Sequence, residues 1–272
     1  MNLWVNDIIF RQLVQYTLKA RLINQMKLMN FHTNLNHKIK HLETLNKEKN
    51  EILGIAAHDL KNPIFSIQLL GKTIRDDMSL TKEELFEFSS DIVSSCDRII
   101  EIIKQLLNLN SIESGKIIIN IVQQSILESI NHLIELYKYK AERKNIQIFL
   151  ENYSDGIALT DMTSLSNIFD NFLSNAIKYS PFDKSVLVKI YDEDNFLKID
   201  ISDEGPGIPE NELDKLFKRF AKISNKPTAG ENSTGLGLSI AKKFSELIKA
   251  EIKFSNNVNR NGSTFSVILP KF

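Results

Sequence analysis

The chain has 272 residues, 42% of them apolar and 25% charged, with 34 basic and 34 acidic residues balancing to a formal net charge of zero. That length supports one to two domains with a real hydrophobic core, and the balanced charge argues against an electrostatic nucleic-acid or membrane-surface binder. The single cysteine, Cys96, excludes an intramolecular disulfide and fits a reducing compartment.

Residues 1–50 read as an N-terminal amphipathic helix and a coiled-coil linker. Met1 to Phe31 is apolar-rich but interrupted by Asn6, Asp7, Arg11, Lys19 and Arg21, which fits an amphipathic helix better than a signal peptide. No stretch approaches the ~18 consecutive apolar residues of a membrane span. Such a helix packs on a partner helix, lies on a membrane surface, or is the remnant of a longer sensor; packing is the default. From residue 33 to 56, Leu35, Ile39, Leu42 and Leu53 recur at near-heptad spacing, with Asn46 and Lys49 weakening the seam.

Residues 51–114 carry two helical patterns. In the first, Leu53, Ala56, Leu60, Ile64, Ile67, Leu70 and Ile74 form a stripe at steps of three and four. His58 lies about 200° from both Ala56 and Leu60, on the opposite face. Asp59 follows it, Asn62 shares its face one turn on, and Pro63 predicts a bend. An exposed histidine contributes little to folding, so it is either a solvated surface residue or a chemical one. After a turn at Met78 to Thr81, Thr81 and Glu84 form a capping-box signature. The second helix then places Leu85, Phe88, Ile92, Cys96, Ile99, Ile103 and Leu106 on its stripe, which puts Cys96 in the core. Two such stripes bury poorly alone, so an antiparallel hairpin that dimerises into a four-helix bundle is expected.

At Glu113-Ser114-Gly115-Lys116 the composition changes, and residues 115–272 alternate short β-branched runs with helices. Strands are predicted at 117–119, 146–148, 186–191, 197–202, 251–254 and 264–269, and helices near 127–145, 164–179 and 237–249. The mixture implies an α/β sandwich.

Four clusters in this part carry chemistry. Asn171 and Asn175 are spaced i,i+4 and put two neutral oxygens on one helix face, which suits Mg²⁺ beside nucleotide phosphates. Lys178 offers those phosphates a point charge and Tyr179 offers a base a flat face. The plain alternative is a polar helix face. Asp203, ahead of Gly205 and Gly207, is an acceptor at a strand end suited to an exocyclic amino donor such as that of adenine, or it begins an ordinary turn. Leu216-Phe217-Lys218-Arg219-Phe220 anchors a polar segment, Ile223 to Thr234, that is either an idle loop or a lid. Gly235-Leu236-Gly237-Leu238 opens a helix, where bared N–H groups bind phosphate. No Rossmann fingerprint or Walker loop is present.

In this order the clusters resemble the sensor histidine kinases of two-component systems. AAHDLKNPI resembles the H-box, NFLSNAIKYS the N-box, DEGPGIP the G1 box, LFKRF the F-box and TGLGLSI the G2 box, and Gly262-Ser263-Thr264-Phe265 resembles the closing glycine motif. The resemblance runs from about residue 35 to the end. It implies a helical phosphotransfer hairpin joined to a Bergerat-type ATP-binding domain, a cytoplasmic homodimer, and a response-regulator receiver domain as partner. It makes His58 the phosphoacceptor, Asp59 its orienting base, and Asn62 the residue positioning water for dephosphorylating the regulator. ATP would be bound by Asn171, Asn175, Lys178, Tyr179, Asp203, Gly205, Gly207, Gly235, Leu236, Gly237, Leu238 and Thr264, and Mg²⁺ by Asn171 and Asn175. Two departures stand out. Asp-Leu-Lys-Asn replaces the usual Glu-Leu-Arg-Thr after the histidine, and Lys222 stands where a phosphate-directed arginine is common. The competing readings are an ATPase of the same superfamily, disfavoured because it needs a catalytic glutamate on the nucleotide-binding helix, and a degenerate, non-enzymatic kinase.

Overall fold

The computed structural model describes residues 2–221, 223–228, 234–257 and 261–271. Two compact units emerge, Met1–Ile55 and Ala56–Phe272. The first helix is continuous: α1 spans Asn2–Asp76, so the amphipathic segment, the linker and the histidine region share one helix that continues through Pro63. In the first unit, the expected seam residues Leu35, Ile39 and Leu42 are exposed in the single chain. No helix of the described residues is long and apolar enough to cross a membrane.

Helix α2 (Lys82–Glu113) starts with the predicted capping box. The Glu84 N–H donates to Thr81 Oγ1 at 3.2 Å, and the Thr81 N–H donates back to Glu84 Oε2 at 2.8 Å. Its covered stripe is Phe88, Ile92, Ser95, Ile99, Ile102, Leu106 and Leu109, a strict three-four alternation. Cys96, expected in the core, is exposed. It lies beside a second apolar row, Phe86, Val93, Ile100 and Leu107, that is exposed in the single chain. The two rows lie close on the helix surface, and the sequence pattern merges them into one.

From Ala56 onward the second unit also contains the sandwich. Strands β2 (Gln147–Tyr153), β4 (Ser185–Glu193), β5 (Phe196–Ser202), β7 (Ser263–Pro270) and β6 (Glu251–Asn256) form one sheet in that order; β2–β4 is parallel and the rest antiparallel. Alternation sets its inner face: Val186, Val188 and Ile190 of β4 and Leu197, Ile199 and Ile201 of β5 are completely buried. Helices α3 (Leu127–Glu142), α4 (Met162–Tyr179) and α5 (Gly237–Leu247) cover the sheet, with α4 packed between the other two. Phe172 of α4 meets Phe265 of β7 with ring centroids 5.0 Å apart.

Two details differ from the sequence pattern. Ile117–Ile119 is not a strand; the chain pairs only from β1 (Val122–Ser125), antiparallel to β3 (Ile157–Thr160) in a separate two-stranded sheet. Ile118 is 92% exposed, so its β propensity meets no facing surface. A 3-10 turn at Glu210–Lys215, unforeseen, follows the Asp203 loop.

Candidate active site

The histidine stands free of the core. Its side chain is 71% exposed, whereas neighbouring Asp59 is 17% exposed, and His58 Nδ1 lies 3.2 Å from Asp59 Oδ1. Ala56 and Pro63 are buried on the other side of α1, and Asn62 is exposed one turn beyond the histidine. A proton on Nδ1 bonded to the carboxylate leaves the Nε2 lone pair facing outward, the arrangement of a nucleophile. Among the described residues, no hydrogen bond or ion pair joins His58 to the other candidate groups.

Those groups converge around α4. The helix buries Phe172, Leu173, Ala176 and Ile177, which leaves Asn171 and Asn175 half-buried on the other side. Asn171 Nδ2 donates to the Asn167 carbonyl at 2.7 Å, and its Oδ1 faces the start of α5, where a Cβ on Gly237 would sit 2.4 Å away. A side chain at position 237 would have to push Asn171 aside. Leu236 is buried as its N-cap and supplies no side-chain cap, so the first N–H groups of α5 remain open to an anion, with half-buried Leu238 in the first turn. Gly235 has φ +70°, and a Cβ there would lie 2.9 Å from the Phe220 backbone. The two segments are joined by the Phe220 N–H donating to the Gly235 carbonyl at 2.9 Å. The predicted aromatic anchor therefore holds the phosphate-loop candidate.

Asp203 is 4% exposed at the end of β5. Its Oδ1 accepts from the Gly205 N–H at 2.8 Å and the Ser263 N–H at 3.1 Å, so Oδ2 carries the acceptor capacity left for a ligand. Gly205 passes close to the Tyr179 carbonyl, and Gly207 close to Asn256 Oδ1. Thr264 sits opposite Ser202, sharing a 2.8 Å hydroxyl contact with it and donating to Asn257 Oδ1 at 2.8 Å.

Burial pushes the Asp203 carboxyl up to about 6, against 3.8 for an ordinary aspartate, although the two N–H donors pull it down. The raised value acts with opposite signs on folding and binding. For folding, the contribution of this group is fully present below about 3.8 and is lost as pH rises through about 6. For binding, only the carboxylate accepts from an amino donor at full strength. Adenine-nucleotide affinity should therefore fall about tenfold between pH 7 and pH 5, while Asp203→Asn should bind weakly with no such pH dependence. Calorimetric titration across that range checks both.

Lys178 is engaged. Its Nζ lies 2.7 Å from Glu101 Oε1 of α2, and Lys178 is 18% exposed. Thr234, next to the phosphate-loop candidate, donates to Gln105 Oε1 at 2.5 Å, and Asn108 Nδ2 donates to Asn167 Oδ1 at 3.0 Å. Arg219 of the aromatic anchor pairs with Glu113 at 2.5 Å. Sequence reasoning missed these α2 residues. Their one local signal is a polar row, Glu101, Gln105 and Asn108, beside the covered stripe. It also missed Asn256 and Asn257, which brace the Asp203 loop, and buried Lys144.

Of the segment Ile223 to Thr234, Ser224 bonds Glu212, Asn225 donates to the Gly207 carbonyl, and Thr228 bonds the end of α4. Lys222, Gly230 and the rest of 229–233 lie outside the described residues. Among the described residues no cluster of three His, Cys, Asp or Glu side chains suits a metal. The amide oxygens of Asn171 and Asn175 are the side-chain groups on α4 that would hold a divalent cation beside nucleotide phosphates, an all-oxygen set that fits Mg²⁺.

Comparison with known proteins matches two family models along the chain. Residues 48–115 match the family model described as His Kinase A (phospho-acceptor) domain. Residues 160–272 match that described as Histidine kinase-, DNA gyrase B-, and HSP90-like ATPase. The circadian input-output histidine kinase CikA of Synechococcus elongatus is 28% identical over 84% of this chain and 31% of its own length. The chain thus spans about a third of that relative. A structure of histidine kinase ThkA, solved in complex with response regulator protein TrrA, is 25% identical with a TM-score of 0.62, covering 82% of this chain and 61% of that one. Acinetobacter baumannii histidine kinase AdeS, 21% identical, shares the fold at a TM-score of 0.60 over 79% of this chain and 98% of its own.

Proposed function

Since the chain belongs to the sensor histidine kinases of two-component systems, we propose that it phosphorylates itself on His58 from ATP and passes the phosphoryl group to an aspartate of a response-regulator receiver domain. Residues 51–114 are the dimerisation and phosphotransfer hairpin, and 115–272 the ATP-binding domain. The observation that carries this reading is the pairing at 3.2 Å of an exposed His58 with Asp59 inside the matched phospho-acceptor region.

The Nε2 lone pair of His58 attacks the γ-phosphorus, the bond to the β,γ-bridging oxygen breaks, and ADP leaves with that electron pair. Asp59 accepts the hydrogen bond from the Nδ1–H, or takes that proton, offsetting the positive charge that forms on the ring. Asp203 selects the adenine amino group, and Tyr179, Gly205, Gly207 and Thr264 shape the base site around it. Lys178, Gly235, Leu236, Gly237 and Leu238 hold the phosphates, and Asn171 and Asn175 would hold Mg²⁺, which would neutralise phosphate charge. An ATP-consuming reaction of this kind belongs in the cytoplasm.

Asn62, exposed on the His58 side of α1, is placed to orient water for dephosphorylating the partner regulator. The homodimer is supported by the row Phe86, Val93, Ile100 and Leu107, each at least 50% exposed and repeating every seventh residue. A regulator partner is supported by the ThkA structure, which holds one.

Incubating the purified chain with Mg-ATP should yield protein-bound phosphate that is acid-labile and base-stable, as a phosphoramidate is. Free phosphate released without labelled protein would instead identify an ATPase. Nucleotide binding with neither product would identify a degenerate kinase.

A further inference from the structure

Lys144 is 4% exposed, in the corner between α3 and β2. Its Nζ donates to the Ile177 carbonyl at 2.7 Å, the Lys178 carbonyl at 3.1 Å and Thr228 Oγ1 at 2.6 Å. The first two oxygens are at the C-terminal end of α4, where helix carbonyls lack partners and the helix dipole favours a cation. The third belongs to the segment between the aromatic anchor and the phosphate loop. Thr228 is bound there twice more, its N–H donating to the Lys178 carbonyl at 3.1 Å and its hydroxyl to the Ser180 carbonyl at 2.6 Å.

The same corner is tied by its backbone. The Asp183 N–H donates to the Lys144 carbonyl at 3.0 Å, and Asn145 Nδ2 donates to Asp183 Oδ1 at 2.7 Å. Those bonds already fix the α3–β2 corner to the chain beyond α4, so architecture alone does not call for a buried ammonium. Burying one is costly unless oxygens surround it, and a methionine would fill the same space with no charge to satisfy. What the ammonium adds, beside the bonds Thr228 itself makes to the Lys178 and Ser180 carbonyls, is a further tie between Thr228 and the end of α4, which bears Lys178 and Tyr179.

We propose that Lys144 is a positioning residue for nucleotide binding, its buried ammonium clamping Thr228 to the last carbonyls of α4 and so holding Lys178 and Tyr179 in place for ATP. The inference rests on reading 115–272 as the ATP-binding domain. Two variants of the full chain test it. Lys144→Met removes the ammonium and keeps an apolar stem. Thr228→Val removes the hydroxyl, keeps the N–H bond, and lies at an exposed position, so it tests the clamp even where Lys144→Met fails to fold.

Each should raise the Kd for ATP about tenfold. The double variant should lose less than the sum of the two single losses, because both break the Lys144–Thr228 contact, while each also breaks a bond of its own to the end of α4. Thr228→Ser should restore parental affinity, and Thr228→Val should melt with the parent. Parental ATP affinity in Thr228→Val, additive losses, or failure of the serine to rescue overturns the clamp. A parent that binds no ATP overturns both the clamp and the domain reading. One that binds ATP without taking label overturns the kinase reading alone, since the clamp is scored on binding.

Discussion

His58→Gln is expected to take up no phosphate from γ-labelled ATP while binding ATP as the parent does. The residue is exposed and its one described side-chain bond is to Asp59, so replacing it with another polar, helix-compatible side chain should change stability by no more than about 0.5 kcal/mol. Affinity should hold because no described hydrogen bond or ion pair links His58 to the nucleotide groups around α4. The chain has five histidines, and His32, His37, His41 and His132 lack its place in the phospho-acceptor region. Autoradiography of the variant beside the parent decides the matter. Label on the glutamine variant would transfer the acceptor role elsewhere and remove the main support for the proposed mechanism.

Gly262→Ala is expected to cost the ATP domain about 3 kcal/mol or more, enough to lower its melting temperature by about 10 °C and to abolish nucleotide binding. Gly262 has φ +122°, a conformation that side-chain-bearing residues rarely adopt. An added Cβ would lie 1.9 Å from the Asp203 carbonyl oxygen, which also accepts from Asn257 Nδ2 at 3.0 Å. The obstacle is backbone, and it belongs to the residue assigned to adenine. Gly207 offers the contrast: a Cβ there meets a side-chain end, Asn256 Oδ1, at 2.9 Å. That site is strained too, with φ +74° and Asn256 bonded twice to Ile208, but its obstacle is a side chain and not the backbone of the Asp203 loop. Circular-dichroism melts with and without ATP check the prediction; a variant melting within about 2 °C of the parent and still shifted by ATP would refute it.

What the sequence made legible is what local chemistry dictates. Thr81 and Glu84 form their capping box because both partners lie within one turn. The exposure of His58 follows from helix geometry, and α4 and β5 follow from their periodicity. Gly237 could be placed at a helix start because bared N–H groups need it. The failures came where a neighbour distant in sequence decides. Ile117–Ile119 has the composition of a strand without a partner, while Val122–Ser125, half glutamine, pairs because β3 comes alongside it. Cys96 satisfies a three-four pattern equally on either of two rows, and only packing tells which is covered. Lys144 looks like any surface lysine until the end of α4 folds over it, and the partner of Lys178 lies on another element altogether.

That last pairing sets a limit on what Lys178 can contribute to nucleotide capture. Its ammonium already gives one of its three N–H donors to the Glu101 carboxylate at 2.7 Å, so a phosphate oxygen meeting it would share the cation with that carboxylate or replace it. Either way the gain would be smaller than an unpaired ammonium gives, because the charge is already partly offset. A ligand of low negative charge would gain least from an ammonium already shared with a carboxylate.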